Sequence, residues 1–506
     1  MPPLRERSNL LVDQSVVARY LGELLAVFGW LLLVPLVFWT VDGEVHQGWG
    51  GAEAYLLPGL LSLLLGWLGR RVRTTAAPTV RDAMVITALG WLVTGWLAAI
   101  PFQVLLHKSF VDAWFEAVSG LTTTGITVFE GLDAMPRSIL LWRSLIQWVG
   151  GLGILTFFLA VALRNGSTAA NLFASEGHKI GGSRPVPSIH QTVRILWGIY
   201  LLWTVVPGVA FLLLGMNPFD AVCHALTAIS TGGFSTHDAS VGWWAANGAA
   251  TAPWLELAVT VTMLAGGMNF LVHYKTLTGQ RSALWRDFEM RWYWGIVAAF
   301  TGLIVLDHWL HAPGVRHALA DLPGAARTAL FQVASMISST GYATRDIGAP
   351  WFPALSKQLF LLLMIVGGCV GSTAGGIKVL RLGILMQMLR NQVHRLTAPR
   401  GAALPVVVAG KPVPTPELVR VGALLAGWLV LVAVGAGITA MFSHLDAWQA
   451  LSGMASAVGN MGPFYFSVHT MAGLPAVIKL TYIVGMLAGR LEILPLIVLL
   501  SRTTWR

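Results

Sequence analysis

The feature that most limits the fold is a unit that recurs four times between long apolar runs. In the first copy, an apolar run at Ala83–Leu106 is followed by a shorter amphipathic segment, Ser109–Leu121, and by the polar turn Thr122–Gly125. A second long run, Ile139–Leu163, closes the unit. The short segment has about 13 residues, whereas a helix needs about 20 to cross the hydrocarbon core. It is therefore predicted to be a re-entrant half-helix, which a membrane tolerates only where protein or water surrounds its end.

The other three copies keep the same order of long run, half-helix, glycine-containing turn and closing run. Their half-helices and turns are Pro218–Ile229 with Ser230–Gly233, Ala325–Ile337 with Ser338–Tyr342, and Asp446–Val458 with Gly459–Pro463. Their flanking runs are Val193–Leu214 and Trp254–Val272, Trp292–Leu310 and Gln358–Leu389, and Leu418–Phe442 and Val477–Leu500. Two further apolar runs, Val17–Thr40 and Ala54–Leu68, precede the first copy. Such a repeat predicts one supersecondary element used several times around a shared core.

The distribution of charge predicts how these units are oriented in a membrane. Only 11% of the residues are charged, against about 25% in soluble domains. The net charge of +10 comes from short segments between units, which is the positive-inside pattern rather than a nucleic-acid surface. These basic residues are Arg70, Arg71, Arg73 and Arg81, then Arg164, Lys179, Arg184 and Arg194, then Lys275, Arg281, Arg286 and Arg291, then Arg390, Arg395, Arg400, Lys411 and Arg420, and finally Arg502 and Arg506. Both termini are therefore expected in the cytoplasm, with every turn facing outside.

Four units with the same orientation can surround one axis, unlike the inverted repeats of many secondary transporters. We therefore predict an all-α polytopic membrane protein with ten full spans and four half-helices, arranged with pseudo-fourfold symmetry around one pore. The predicted divisions are residues 1–75 for an N-terminal tail and two extra transmembrane helices, 76–165 for repeat 1, 166–274 for a cytoplasmic linker and repeat 2, 275–390 for repeat 3, and 391–506 for a linker, repeat 4 and the C-terminus.

The residue types in the turns favour a monovalent cation. Such an ion, once dehydrated, needs several oxygen ligands, and backbone carbonyls from four strands can supply rings of them. Each half-helix would also direct the partly negative C-terminal end of its dipole towards the pore. No turn carries Asp, Glu or Lys at its glycine position, which argues against an anion pore or an acidic ring for divalent cations.

The sequence lacks several common catalytic motifs. The chain has no His-Glu-x-x-His pair, nucleophile elbow or Walker-type phosphate loop, so neither a catalytic residue nor an organic cofactor is predicted. Cys223 and Cys369 lie in apolar sequence and are interpreted as small buried hydrophobes. His224 lies in the second half-helix and is interpreted as a structural residue, with a sensor or ligand role as the alternative.

Several motifs together resemble the TrkH branch of the superfamily that also includes KtrB and the plant and fungal Trk/HKT transporters. The matching segments are Thr122–Gly125, Ser230–Gly233, Ser338–Tyr342, Gly459–Pro463, Gly367–Lys378 and Gly489–Glu492. The resemblance covers essentially the whole chain, including the two leading runs. It implies potassium uptake across a bacterial inner membrane, in which the two residues before the key glycine of each turn bind the ion mainly through their carbonyl oxygens.

Transferred to this sequence, the implied potassium ligands are Thr123 and Thr124, Ser230 and Thr231, Ser339 and Thr340, and Asn460 and Met461. The implied filter glycines are Gly125, Gly232, Gly341 and Gly462. Glycine in all four turns goes with potassium rather than sodium preference in this family. The fourth turn has two registers: counting from Asp446 as from Asp112 gives Gly459, whereas the pattern Asn-Met-Gly-Pro gives Gly462, which we favour.

Two further features are expected in the permeation path. The third closing run is interrupted by Gly367, Gly368, Gly371, Gly375 and Gly376. The resemblance implies that this segment is a broken intramembrane loop that acts as a gate, and close helix packing is the alternative. Arg490 lies mid-span, where an unpaired charge is costly, so we predict an electrostatic barrier with Glu492 as its candidate partner. A snorkelling arginine is the alternative, and Lys378 fits either the path or an interfacial anchor.

The resemblance also implies partners. It implies a homodimer in membrane lipid, bound on its cytoplasmic face to a nucleotide-binding regulatory subunit of the TrkA kind. Potassium is the implied transported ion, and no nucleic-acid partner is expected. Two other functions stay open from the sequence: a sodium-permeable or proton- or sodium-coupled symporter on the same fold, and an intramembrane enzyme.

Overall fold

The computed structural model describes residues 12–44, 51–76, 78–153, 189–312, 321–397, 399, 405–408 and 410–505. The end of the first closing run, after residue 153, lies outside the described residues, as do the predicted cytoplasmic cations Arg164, Lys179, Arg184, Arg400 and Arg506. Helices dominate the described chain. Its strands are the short antiparallel pair Val407–Val408 and Lys411–Pro412.

The two runs that precede the repeats form a closely packed helical pair. They are helical over Gln14–Leu32, Leu36–Val41 and Glu53–Arg71. The first run breaks at Pro35, which cannot donate a helical hydrogen bond. A Cβ built on Gly66 would lie 2.7 Å from Ala26 Cα, and one on Gly22 would lie 2.6 Å from Gly69 Cα. Small residues at these contacts let the two backbones approach, as is common in membranes.

The four repeats follow in the predicted order. Their opening helices are Val80–Leu106, Ile189–Leu213, Phe288–His311 and Thr415–Phe442, and half-helices 1 to 4 are Phe110–Leu121, Pro218–Ile229, Leu322–Ile337 and Ala447–Gly459. Shorter helical turns lie at Leu132–Ala134, Gly242–Ala246, Ala283–Arg286, Val468–Gly473 and Arg502–Trp505. In the described part of the chain, five helices are long and apolar enough to cross a membrane, or seven if each bent pair counts as one span.

Three of the half-helices begin at a polar cap residue. The side chains of Ser109, Asn217 and Asp446 each accept a hydrogen bond from the backbone N–H three residues later. These bonds satisfy donors that the first turn of a helix leaves free. Half-helix 3 begins at Leu322, earlier than the predicted start near Ala325, with proline in its first turn. Proline is suited to that position because its missing N–H would have no helical partner there.

The closing runs differ most from the prediction of full spans, although an interruption of the third was expected. They are helical over Arg137–Trp148, Ala252–Gly267 with Phe270–Leu277, Ala354–Ile365 with Val379–Thr397, and Ala476–Arg490 with Leu494–Leu500. Bends of 105° and 117° separate the two parts of the second and the fourth. A non-helical loop at 366–378 interrupts the third, and the first passes into a π-helical turn at Val149–Gly153. A glycine lies at or close to each break, but in the second and fourth runs the residues that leave the helical conformation are Met268 and Asn269, and Glu492 and Ile493.

Polar contacts join neighbouring repeats in chain order and then join the last to the first. The contacts are His237 with Asp133 between repeats 1 and 2, Arg327 with Glu256 at 2.7 Å between repeats 2 and 3, Tyr465 Oη donating to Lys357 O between repeats 3 and 4, and Lys479 with Asp112 at 2.5 Å between repeats 4 and 1. The four repeats therefore close into a ring.

Candidate functional site

All four half-helices end in the same hydrogen-bonded turn. One residue near each end adopts a left-handed conformation with φ between 51° and 55°; these residues are Thr123, Thr231, Ser339 and Asn460. In turn 1, the Thr123 N–H donates to Gly120 O and the Thr124 N–H donates to Ser119 O, and the other turns repeat this spacing. This is the Schellman arrangement, which ordinarily has glycine at its left-handed position. Threonine and serine resist that conformation, so the surrounding structure must hold turns 1 to 3 in a strained state, whereas the asparagine of turn 4 adopts it readily.

A glycine with positive φ follows two residues later in every turn. These glycines are Gly125 at 78°, Gly233 at 77°, Gly341 at 88° and Gly462 at 101°. In the second turn the prediction was therefore one residue early: the equivalent glycine is Gly233 rather than Gly232, and the pair before it is Thr231 and Gly232. Ser230 instead caps the end of half-helix 2. Two adjacent glycines are indistinguishable by residue type, and only the backbone conformation shows which one follows the left-handed residue.

The four glycines pack in a closed ring against carbonyl oxygens of the next turn. A Cβ built on Gly125 would lie 2.3 Å from Gly232 O. The equivalent distances are 1.9 Å from Gly233 to Thr340 O, 2.3 Å from Gly341 to Met461 O and 3.1 Å from Gly462 to Thr124 O. Each turn therefore places the carbonyl of the residue before its glycine against the glycine of the preceding turn. Side chains at these glycines would displace the ring oxygens.

The fourth turn takes part in this ring through Gly462. Gly459 instead ends half-helix 4, where an added Cβ would lie 2.2 Å from Met364 O. Asn460 occupies the left-handed position, and its Nδ2 donates to Thr124 Oγ1 and to Met486 O, both at 2.9 Å. The side chain of Asn460 therefore links the fourth turn directly to the first.

One face of the ring contacts the loop at 366–378. Thr231 Oγ1 donates to Thr373 Oγ1 at 3.2 Å, and Ser339 Oγ accepts a hydrogen bond from the Gly375 N–H at 2.6 Å. A Cβ built on Gly375 would lie 2.6 Å from Asn460 Cβ. The loop therefore touches the left-handed residue of three of the four turns.

The five glycines predicted to interrupt the third closing run all lie in this loop. Its neck is closed by hydrogen bonds from Gly367 N to Ile377 O at 3.0 Å and from Ile377 N to Ile365 O at 2.9 Å. Within the loop, Gly371 and Gly376 have positive φ, whereas added Cβ atoms on Gly367 and Gly368 would each lie within 2.7 Å of a backbone oxygen. Close packing and backbone conformation thus both require glycine in this segment.

Arg490 joins the loop to the first repeat. Its Nη1 donates to Thr373 O at 2.7 Å and to Thr123 Oγ1 at 3.2 Å. Its Nη2 donates to Gly150 O and Gly151 O, both at 2.5 Å. These carbonyl oxygens replace the water molecules that would otherwise hydrogen-bond the Arg490 guanidinium group. This arrangement places a positive charge beside turn 1 and against the loop that contacts the other three turns.

Two charged residues near Arg490 have partners of their own. Arg381 Nη2 lies 2.7 Å from both carboxylate oxygens of Glu492, so the ion-pair partner that the structure gives Glu492 is Arg381. Lys378 Nζ donates to Ala374 O within the loop. The backbone after Arg490 is strained, because Glu492 and Ile493 have φ values of 58° and 66°, which residues other than glycine adopt infrequently and a β-branched residue such as isoleucine rarely adopts.

A buried ion pair that the sequence does not predict lies behind turns 1 and 2. Arg143 Nε donates to Glu116 Oε1 at 2.9 Å, and Arg143 Nη1 donates to Ser235 O at 3.0 Å. Glu116 also accepts hydrogen bonds from Thr127 Oγ1 and from the Val128 N–H. An arginine inside an apolar run was a visible signal, but its partner lies 27 residues earlier on another element, so sequence spacing could not pair them.

Replacing Arg143 with alanine is expected to destabilise the protein by about 3–5 kcal/mol, because it leaves the Glu116 carboxylate buried without its cation. Thermal unfolding of the purified protein in detergent measures this change. Arg137→Ala is the control, because the Arg137 side chain is 55% exposed beside Asp42 and such surface pairs contribute at most about 1 kcal/mol. Equal stability of the two variants would contradict the importance of the buried pair.

His237 bridges two carboxylates where repeats 1 and 2 meet. Its Nδ1 contacts Asp133 and its Nε2 lies 3.1 Å from Asp220 Oδ2, while the ring stacks on Trp243 with centroids 4.0 Å apart. Burial by itself lowers the pKa of His237, but the hydrogen bonds to Asp220 and Asp133 outweigh burial and raise it above the ordinary value. The contact between the two repeats is therefore strongest when His237 is protonated.

The contribution of His237 to stability is expected to depend on pH. Because its folded-state pKa is raised, this contribution is fully present below about pH 6.5, the ordinary histidine pKa, and is lost as pH rises through the folded-state pKa. The difference in thermal stability between the wild type and His237→Gln should therefore shrink as pH rises. His469→Gln is the control, because the His469 side chain is 87% exposed beside Glu130; a difference for His237→Gln that is constant from pH 5 to pH 9 would contradict the bridge.

A ring of four re-entrant turns within a bundle of apolar helices is the architecture of a multi-pass membrane protein. The TrkH family model, described as a cation transport protein, matches residues 62–504. The chain belongs to the TrkH family. This membership confirms the prediction that the chain is a transporter and not an enzyme.

The relatives and a solved structure agree over nearly the whole length. The chain is 31% identical to the Trk system potassium uptake protein TrkH of Salmonella typhimurium, covering 97% of this chain and 99% of that protein. It is 33% identical to the protein of the same name from Vibrio parahaemolyticus, with the same coverage. A crystal structure of the potassium transporter TrkH from Vibrio parahaemolyticus superposes with a TM-score of 0.83 at 32% identity, covering 98% of this chain and 100% of that one. The predicted fold class is confirmed.

Proposed function

We propose that this protein takes up potassium ions across a bacterial inner membrane through the ring of turns. The observation that carries the proposal is the closed ring, in which a carbonyl oxygen of each turn lies against the glycine of the preceding turn. Rings of backbone carbonyls can replace the hydration shell of a potassium ion. Relatives named as potassium uptake proteins support the choice of ion.

The proposed ligands are the carbonyl oxygens of the two residues before each ring glycine. These residues are Thr123 and Thr124, Thr231 and Gly232, Ser339 and Thr340, and Asn460 and Met461. All eight are buried and none has a charged side chain. Neutral dipoles suit a monovalent cation that must bind and then leave, whereas a divalent cation or an anion would favour fixed charges.

The loop at 366–378 and Arg490 are proposed to form the gate. Both contact side chains of the left-handed residues on the same face of the ring, so a cation leaving the ring on that side meets them next. The Arg490 charge repels cations there, and the hydrogen bond from Arg490 to Thr373 O holds the loop in place. Flow then requires a change in the loop, in Arg490 or in both.

The surrounding assembly is also part of this proposal. We expect a homodimer with both termini in the cytoplasm and with a nucleotide-binding regulatory subunit on that side. The relatives are named as parts of Trk systems, which supports association with further components. The helix Val379–Thr397 begins where the loop ends and exposes Arg390 and Arg395. A subunit bound to this helix could therefore act on the gate directly.

Rubidium uptake by purified protein in liposomes tests the proposed function. Rubidium uptake should exceed that of protein-free liposomes, and external potassium should compete with it much more strongly than sodium does. Equal competition by sodium would overturn the potassium assignment in favour of a sodium-permeable transporter. A requirement for an imposed proton or sodium gradient would assign coupled symport instead of passive flow.

A further inference from the structure

In turns 1 and 3, the residue before the ring glycine forms a hydrogen bond between its side-chain hydroxyl and another hydroxyl of the same turn. Thr122 Oγ1 lies 2.6 Å from Thr124 Oγ1, and Ser338 Oγ lies 2.6 Å from Thr340 Oγ1. In both turns the second residue of the pair provides the ring carbonyl. The residue that provides the ring carbonyl is therefore held through its side chain by a contact within the same turn.

Turn 2 cannot form this pair, because Gly232 stands where the other two turns have threonine. The hydroxyl of Ser230, which is equivalent to Thr122 and Ser338, donates to a carbonyl of its own half-helix, Thr227 O, at 3.2 Å, as those two hydroxyls also do in theirs. What turn 2 lacks is the second hydroxyl of the pair. Glycine also gives the backbone more freedom than any other residue. The carbonyl of Gly232 needs another contact to hold its direction in the ring.

Gln147, from the closing helix of repeat 1, provides that contact. Its Nε2 donates to Gly232 O at 2.6 Å, and its Oε1 accepts a hydrogen bond from the Phe234 N–H at 3.0 Å. The side chain is fully buried. A Cβ built on Gly232 would lie 2.4 Å from Gln147 Cδ, so the amide occupies the space that a side chain at Gly232 would need.

The next pair of repeats shows the opposite arrangement. Gly151 and Gly267 occupy equivalent positions in the closing helices of repeats 1 and 2. An added Cβ would lie 2.9 Å from Ser230 Cβ at Gly151 and 3.0 Å from Ser338 Cβ at Gly267. Four residues before Gly267, in the position of Gln147, the closing helix of repeat 2 has Met263, which is also fully buried. The closing helix of repeat 2 thus has methionine beside turn 3, which has a hydroxyl pair. The closing helix of repeat 1 has glutamine beside turn 2, which has glycine in place of the second hydroxyl residue.

We propose that Gln147 is a positioning residue for ion selection, which fixes the direction of the Gly232 carbonyl within the ring. The proposal rests on the proposed function, since it assigns Gly232 O to the ion path. Without the amide, Gly232 O and the Phe234 N–H both lose a partner, and the peptide between Gly232 and Gly233 can rotate. Because selection depends on the placement of the ring oxygens, the ion preference changes before the fold does.

The test replaces the glutamine and glycine at turn 2 with the methionine and threonine found at the equivalent positions of turn 3. Gln147→Met preserves the length of the side chain and removes both hydrogen bonds, and it is expected to lower the preference for rubidium over sodium by about tenfold. Gly232→Thr alone is expected to lower uptake, because its side chain meets Gln147. Gln147→Met combined with Gly232→Thr should recover most of the preference, because it recreates the pairing of Met263 with Thr340. Ser144→Ala is the control on the same helix, since Ser144 Oγ donates within the helix to Leu140 O.

The outcomes separate this inference from the function on which it rests. A wild type that shows no preference for rubidium overturns the proposed function itself. A selective wild type with an equally selective Gln147→Met overturns the role of Gln147, and so does a double variant no more selective than the worse single variant. If Gln147→Met fails to assemble, the double variant decides: restored preference supports the inference, and an assembled but unselective double variant contradicts it.

Discussion

Replacing Gly233 with alanine is expected to lower rubidium uptake by about a hundredfold or more. The residue has a φ of 77°, and an alanine Cβ would lie 1.9 Å from Thr340 O. The backbone must therefore leave its conformation or displace a ring carbonyl, and either change disrupts the oxygen positions that bind the ion. Uptake into liposomes, normalised to the amount of inserted protein, measures the loss.

The control for this variant is Gly248→Ala in an outer loop of the same repeat. Gly248 has a nearly identical φ of 74°, but no heavy atom of the described structure lies within 4 Å of an added Cβ. The two variants therefore share the backbone strain and differ in the contact with the ring. Similar uptake by both would show that the carbonyl contact is unimportant and would contradict the revised register of the second turn.

Removing the Arg490 side chain is expected to raise rubidium flux by about tenfold or more, because a positive charge at membrane depth is a large barrier to a cation. Arg490→Ala also removes the hydrogen bonds to Thr373, Gly150 and Gly151 that hold the loop against repeat 1. Flux in the absence of any regulatory subunit is the quantity to measure. Unchanged or reduced flux in a correctly assembled Arg490→Ala protein would contradict the role of Arg490 as a barrier.

Two milder substitutions separate the charge of Arg490 from its role as a link. Arg490→Lys keeps the charge, but one ammonium group cannot reproduce the planar contacts to Thr373, Gly150 and Gly151. Arg490→Gln removes the charge and keeps some hydrogen bonding. Low flux in Arg490→Lys together with high flux in Arg490→Gln would assign the barrier to charge. The reverse order would assign it to the contacts that hold the loop.

Local sequence signals predicted the half-helices well because their ends are determined by neighbouring residues. Half-helix 2 has the predicted bounds Pro218–Ile229, and half-helix 1 ends at Leu121 as predicted. Cap residues, short length and the following polar turn are all readable along the chain. The closing runs were predicted less well, because an apolar run of sufficient length looks the same whether it is straight or broken.

Among the site residues, too, those whose place depends on contacts with other elements were not predicted correctly. Turn 2 was placed one residue early because Gly232 and Gly233 differ in conformation and not in type, and that conformation is set by contacts with turn 3. Gln147 and Arg143 were missed because their partners, Gly232 and Glu116, lie on other elements. Spacing along the chain contains no signal for a hydrogen bond between residues on separate elements.

The sequence by itself determined the membrane-spanning class, the fourfold repeat and the presence of a glycine turn after every half-helix, because hydrophobic length, caps and glycines act over a few residues. Only the tertiary structure decided which glycine of turn 2 enters the ring and that Arg490 contacts Thr373 and Thr123. Those outcomes depend on steric fit and hydrogen bonds between segments more than a hundred residues apart. No local preference of the chain could have specified them.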